Sequence, residues 1–190
     1  MRVLKSISLV FILYLALSSS VSSQQRRPQS ASSSCRKFVG EFYSWYLDKA
    51  AKEKVNRDGL VALKYRSYLF SPAIVRALQE DNEAQEKAGS DLVWLDADPF
   101  VGPDGFGEGY IVEKVTVRDG KCFAEVHTVW EGKEDEPPDV IPELAIRNGR
   151  WLFVNFYFPS PSNPKGWDLL GALKGMREDE KNGPDINRRP

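Results

Sequence analysis

Two dipeptides, Asp119-Gly120 and Asn148-Gly149, limit what this chain can become more than any other feature. Each lies between runs whose apolar and polar residues alternate, and each supplies the two positive φ angles that a type I′ hairpin requires. Residues 110–118 and 121–130 therefore read as one hairpin, and 140–147 with 150–158 as a second. The acidic, proline-bearing run 131–138 connects them. The first turn fixes register: Val117 faces Cys122, Val115 faces Ala124 and Ile111 faces Thr128 on the core face, while Lys114 meets Glu125 and Val112 meets His127 on the other. In the second hairpin Ile146, Leu144, Trp151, Phe153, Asn155 and Tyr157 share a face. The expected product is a four-stranded antiparallel meander.

Ahead of the strands the spacing is helical. Phe38, Phe42, Trp45 and Lys49 recur at i, i+4, i+7 and i+11, with Val39, Tyr43, Tyr46 and Ala50 as a second stripe beside them. So wide an arc of rings needs partners on several sides, which a curved sheet wrapped round the helix, or a second helix, supplies. Core packing is the plainer account of these rings and is preferred to a ligand-stacking surface. The helix is expected to start near Ser34, with Ser32 to Ser34 as candidate N-caps, and to end by Asn56-Arg57-Asp58-Gly59. A short helix over 60–70 points Leu60, Leu63 and Tyr68 inward. A third begins at Ser71-Pro72, shows Ile74, Val75 and Leu78, and turns polar over 79–87, a half expected in solvent. Residues 94–109 are too rich in Gly and Pro for regular structure, and a loop of this length is a place to look for a site. A proline-rich exit, 159–164, leads to an amphipathic segment over 167–176 that docks as a closing helix.

The first 23 residues carry Arg2 and Lys5, an apolar run from Ile7 to Leu17 and small residues at Val21 and Ser23, the pattern of a secretory signal peptide. The domain reading is a signal peptide over 1–23, a disordered linker over 24–34, a single α+β domain over 35–176 and a flexible charged tail over 177–190. The expected location is outside the cytoplasm, periplasmic or secreted, with no membrane span once the leader is removed. Without Arg2 and Lys5 the 26 basic residues become 24 against 27 acidic ones, a net charge near −3 that argues against nucleic acid as a partner. In an oxidising compartment Cys35 and Cys122 are expected to pair, tying the start of the first long helix to the sheet and stabilising it by about 3 to 4 kcal/mol in the chain-entropy picture.

Helices first and a meander afterwards is an α+β order, with N-terminal helices on one face of a curved four-stranded sheet. The motifs Phe42-Tyr43-Ser44-Trp45-Tyr46-Leu47, Asp98-Pro99-Phe100 and Asn148-Gly149-Arg150-Trp151 resemble a family of exported bacterial proteins of unknown function. Their fold is of the nuclear transport factor type, an α+β cone also likened to cystatin. The resemblance spans about residues 35–158 and implies a sheet wrapped round the first helix with a pocket at the open end of the cone. It carries over no catalytic residue and no cofactor.

Pocket candidates follow from placement. Tyr46 and Asp48 sit at the far end of the aromatic helix, Asp96 and Asp98 in the long loop, and Asn155 and Tyr157 near the end of the last strand, where polar groups on a core face must find partners or line a cavity. For Asn155 and Tyr157 bonding to backbone at the sheet edge is the preferred alternative. Asp96, Asp98, Asp104 and Glu108 invite comparison with a calcium loop, but Phe100 and Val101 stand where a ligand and the turn glycine belong, so no metal is assigned. Asp98 is instead expected to brace the loop through an Asx-turn ahead of Pro99, with Phe100 plugging the core. His127, the single histidine, falls on the polar sheet face without a nucleophile beside it. Motifs of serine hydrolases, phosphate loops and dinucleotide folds are absent.

These observations favour a non-enzymatic binding protein that holds a small molecule or a protein in the cone pocket or on the sheet face, where two copies are also able to pair. The first alternative is a cone enzyme of the ketosteroid isomerase kind, for which Asp96, Asp98, Tyr46 and Tyr157 are the candidates. The second is an envelope inhibitor or immunity-type protein acting through the acidic loop 131–139.

Overall fold

The computed structural model describes residues 28–53, 60–88, 95, 98–102, 105–134 and 137–182. The signal-peptide reading, Asp96, Asp104 and the end of the first helix at 56–59 lie outside them. The chain is α+β: helices α1 (Pro28–Glu53), α2 (Leu60–Arg66) and α3 (Pro72–Ala88) precede strands β1 (Gly109–Arg118), β2 (Lys121–Trp130), β3 (Lys133–Glu134), β4 (Ile141–Arg147), β5 (Arg150–Ser160) and β6 (Asn163–Asp168), and α4 (Leu169–Asn182) closes the order. All pairings between these strands are antiparallel, along the path β1-β2-β4-β5-β6, with β3 added to β2.

Both hairpin turns form as their sequences predict, with Asp119 at φ 52° and Gly120 at 73°, and Asn148 at 51° and Gly149 at 76°. The sheet exceeds the expected four strands. Glu131-Gly132 makes a third positive-φ turn that returns the short β3 to Val129 and Trp130. The proline-rich exit continues β5 and pairs it with β6, where Pro164 sits in an edge strand that tolerates a missing N–H. Gly166 is obligatory there: at φ 62° a Cβ would overlap the carbonyl of Phe158.

Helix α1 lies across one face of the sheet and supplies the centre of the core. Cys35, Val39, Phe42, Tyr43, Tyr46 and Ala50 are buried, so the second sequence stripe with Phe42 faces inward. Phe42 meets Phe153 at 4.8 Å and both Phe70 and Phe100 at 5.7 Å between ring centroids, edge-on to the last two as the aromatic quadrupole favours. The helix begins at Pro28, so residues 28–34 are helical and not a linker. Its extra turns cover the open edge of β1: Ser32 Oγ donates to Val115 O at 3.3 Å, and the Arg36 guanidinium donates to Val112 O and, at 2.7 Å, to Glu113 O. Covering an edge in this way blocks pairing with another chain.

Tyr68, expected inward, is 61% exposed, because the chain leaves α2 through a 3-10 turn at Ser67–Leu69 and seats Phe70 in the core instead. Ser71 N donates to Phe153 O at 2.8 Å, fastening the start of α3 to β5 beyond the part that β6 pairs. The polar half of α3 is not wholly in solvent. Helix α4 packs against α3, Asp81 is 8% exposed, and Arg177 of α4 pairs with Glu80. The disulfide joins Cys35 to Cys122 with Cα atoms 6.6 Å apart, as expected, and fits an oxidising compartment.

Candidate functional site

Inside the core, the loop residue Asp98 meets the end of the aromatic helix. The Tyr46 hydroxyl donates to Asp98 Oδ2 at 2.6 Å, and Phe100 N donates to Asp98 Oδ1 at 2.8 Å, the expected Asx-turn. Tyr43 donates to Phe100 O at 2.7 Å, and Phe100 fills the core. An Asp and Tyr do converge, yet Asp98 is 2% exposed and Tyr46 fully buried, with Phe42, Phe100 and Phe106 around the Tyr46 ring. Burial, followed by the neighbouring Tyr110 and Asp98, raises the Tyr43 phenol well above its ordinary pKa, and burial likewise raises Tyr110. Both therefore stay protonated. Chemically this arrangement braces a loop: both carboxylate oxygens accept a hydrogen bond and no solvent reaches them.

Asp48 does not join Tyr46. It points out to solvent, pairs with Lys52 at 2.7 Å and borders an open hollow beside Trp45 and Arg66. The Arg66 guanidinium lies 4.1 Å from the Trp45 ring centroid.

The outer face of the sheet holds the second constellation, built by two β-bulges. In β1 the pairing shifts between Val112 and Val115, so Val115 faces Ala124 as expected but Ile111 faces His127 and Val112 faces Val126. Glu113 and Lys114 together oppose Glu125 and turn away from the core. In the second hairpin the register shifts between Glu143 and Leu144, leaving Val154 as the extra residue of β5. Phe153 and Phe156 then both enter the core. Asn155 and Tyr157 consequently leave the core face on which regular alternation places them. A bulge adds one residue to one strand and reverses facing beyond it. Its trace is visible in hindsight, as Val112-Glu113-Lys114-Val115 and Phe153-Val154-Asn155-Phe156 each put core residues three apart inside a strand.

On this face the Tyr157 hydroxyl donates to Glu143 Oε2 at 2.6 Å while Lys121 Nζ reaches Glu143 Oε1 at 2.6 Å, and Glu143 is only 4% exposed. Burial, then the bond to Glu143 and its charge, pushes the Tyr157 pKa up to about 12. Lys114, Thr116, Arg118, Lys121, Phe123, Glu125, Ile141, Glu143 and Tyr157 line a groove of about 450 Å³. Phe123 and Tyr157 lie 6.4 Å apart along it. Lys114 pairs with Glu125 at 3.0 Å, so both carboxylates of the groove have a lysine. Arg118 sits 4.6 Å over the Phe123 ring and has no ion pair among the described residues.

Asn155 serves the fold. Its Nδ2 donates to Asp168 Oδ1 at 2.8 Å, and its Oδ1 accepts from Phe156 N and Leu170 N. Asp168 accepts in turn from Gly171 N at 2.9 Å, capping α4. His127 does lie on the outer face, but it is 1% exposed, and its Nε2 stands 3.3 Å from Glu113 Oε2. Burial of a strand histidine on the polar face has no signal in the alternation.

The fold and these two constellations define an α+β chain with its helices against an antiparallel sheet and a mixed-charge, aromatic groove on that sheet's far side. Compared with known proteins, the chain matches no family model, no curated protein and no solved structure. Among the described residues no helix is long and apolar enough to cross a membrane.

Proposed function

We propose that this chain is an exported, non-enzymatic binding module of the cone type that its motifs resemble, and that it holds a small ligand with an aromatic body and an acidic group in the outer-face groove. The single observation behind this reading is the composition of the groove. Two aromatic side chains form its floor, two lysine–carboxylate pairs are already neutralised, and Arg118 is left as the cation for an incoming acid. A volume near 450 Å³ suits a molecule of one or two rings. Export is supported by the leader-like first 23 residues and by the disulfide. The isomerase alternative is weakened by the closure of Asp98, since a general base must reach its substrate's proton.

Titration with 8-anilinonaphthalene-1-sulfonate, an anionic aromatic fluorophore, tests the reading on the folded, disulfide-bonded chain. One saturable site is expected. Arg118→Glu and Phe123→Ala should each weaken it by about tenfold, the worth of one desolvated cation–ring or ring contact. Asp48→Asn, in the hollow beside α1, should leave it unchanged. Equal affinity in all three variants would overturn the reading, and a dimer that excludes the probe would assign the groove to a second copy of the chain.

A further inference from the structure

We propose that Glu113, Glu125 and His127 form a site for a divalent transition-metal cation of the zinc type at the β1–β2 bulge. One ligand atom from each of the three lies within 4.8 Å of the others, so small side-chain rotations bring all three onto one small cation. The donor set is one imidazole and two carboxylates, which suits zinc, cobalt or iron(II) and not calcium, whose sites are built of oxygen alone.

The site is assembled by features that ordinary strand pairing does not supply. Regular alternation through 112–115 would send Glu113 to the core face beside Val126, and the bulge returns it to the face of Glu125 and His127. Arg36 of α1 holds that bulge from behind by donating to the carbonyls of Val112 and Glu113. His127 is 1% exposed, whereas the Glu113 side chain is 57% exposed. A cation therefore has a buried nitrogen ligand on one side and an exposed carboxylate open to solvent on the other. Two carboxylates and an imidazole leave a dication formally neutralised, with coordination positions open to water or an added ligand. Lys114, 3.0 Å from Glu125, is the competitor. Its side chain is 68% exposed, and an exposed ion pair of this kind is worth at most about 1 kcal/mol, so a dication displaces it readily.

The site shares Glu125 with the rim of the groove, and its test uses the metal alone, so its outcome is read apart from any groove ligand. The disulfide-bonded chain, stripped with chelator, is titrated with Co²⁺ while its visible absorption is followed, and Zn²⁺ is then added in competition. One equivalent of Co²⁺ should give the bands of low-coordinate cobalt, abolished by Zn²⁺ and untouched by excess Ca²⁺. Glu113→Gln, at an exposed position, should lower Co²⁺ affinity by about 100-fold or more, because even an outer partner of a ligand is worth 10–100-fold. His127→Asn should abolish binding while an unchanged near-ultraviolet circular dichroism spectrum shows that the fold survives. Absence of a saturable cobalt signal, equal competition by Ca²⁺, or unaltered affinity in Glu113→Gln would each overturn the proposal.

Discussion

Tyr46 shows how a residue that reads as a pocket candidate becomes part of the frame. Its hydroxyl donates to the buried Asp98 carboxylate. Tyr46→Phe should destabilise the chain by about 1 to 3 kcal/mol, the cost of removing one partner from a buried polar group, and urea denaturation measures it. If Tyr46 served only a ligand, stability would not change. Asp81 is the residue whose environment opposes its charge. Buried and given a 3.3 Å bond from Gln85, it is raised from 3.8 to about 6, with desolvation the leading cause. A folded-state pKa above the unfolded one means that the native state holds the proton more tightly. The associated stability is fully present below about pH 4 and is lost as pH rises through 6. Asp81→Asn should abolish that component: the difference in melting temperature between variant and parent should grow from pH 4 to pH 7. A difference independent of pH would show that Asp81 ionises in the folded chain as it does in the unfolded one.

Single elements show what the sequence discloses and what it hides. The aromatic helix, the two type I′ turns, the cap at Ser71-Pro72 and the cysteine pair were all legible, because each rests on a local rule of spacing or backbone angle. Residues 28–34 were not, since Ser, Gln and Ala make no apolar stripe and their helix is held by Ser32 and Arg36 reaching across to β1. The outer-face constellations were hidden for a different reason. Alternation assigns faces only while the register holds, and bulges at Glu113-Lys114 and Val154 reverse it halfway along two strands. Tyr157 is legible as a polar residue near a strand end, but alternation alone puts it on the core side of the sheet, which the bulge reverses. The disulfide is the element-scale link between α1 and β2. It closes a span of 87 residues, so Cys35→Ser with Cys122→Ser should cost about 4.6 kcal/mol in the chain-entropy picture, read as a shift in denaturation midpoint. A loss below about 1 kcal/mol would mean that packing of Val39, Phe42 and Tyr43 alone fixes the helix on the sheet.

For the whole molecule, the division of labour runs across the sheet. One face carries the aromatic core and the braced loop, where Phe42, Phe70, Phe100 and Phe153 pack together and the Asp98 carboxylate is hydrogen-bonded. The other carries polar and charged groups, several of them buried, around an aromatic groove with one spare cation. The central claim is that this outer groove holds a small acidic ligand. Native mass spectrometry of the chain, purified under non-denaturing conditions from an exporting host, tests it most directly. The account predicts a bound small molecule on the parent chain, released by collisional activation and missing from Arg118→Glu. Parent and variant arriving with the same adduct, or both arriving bare, would contradict it.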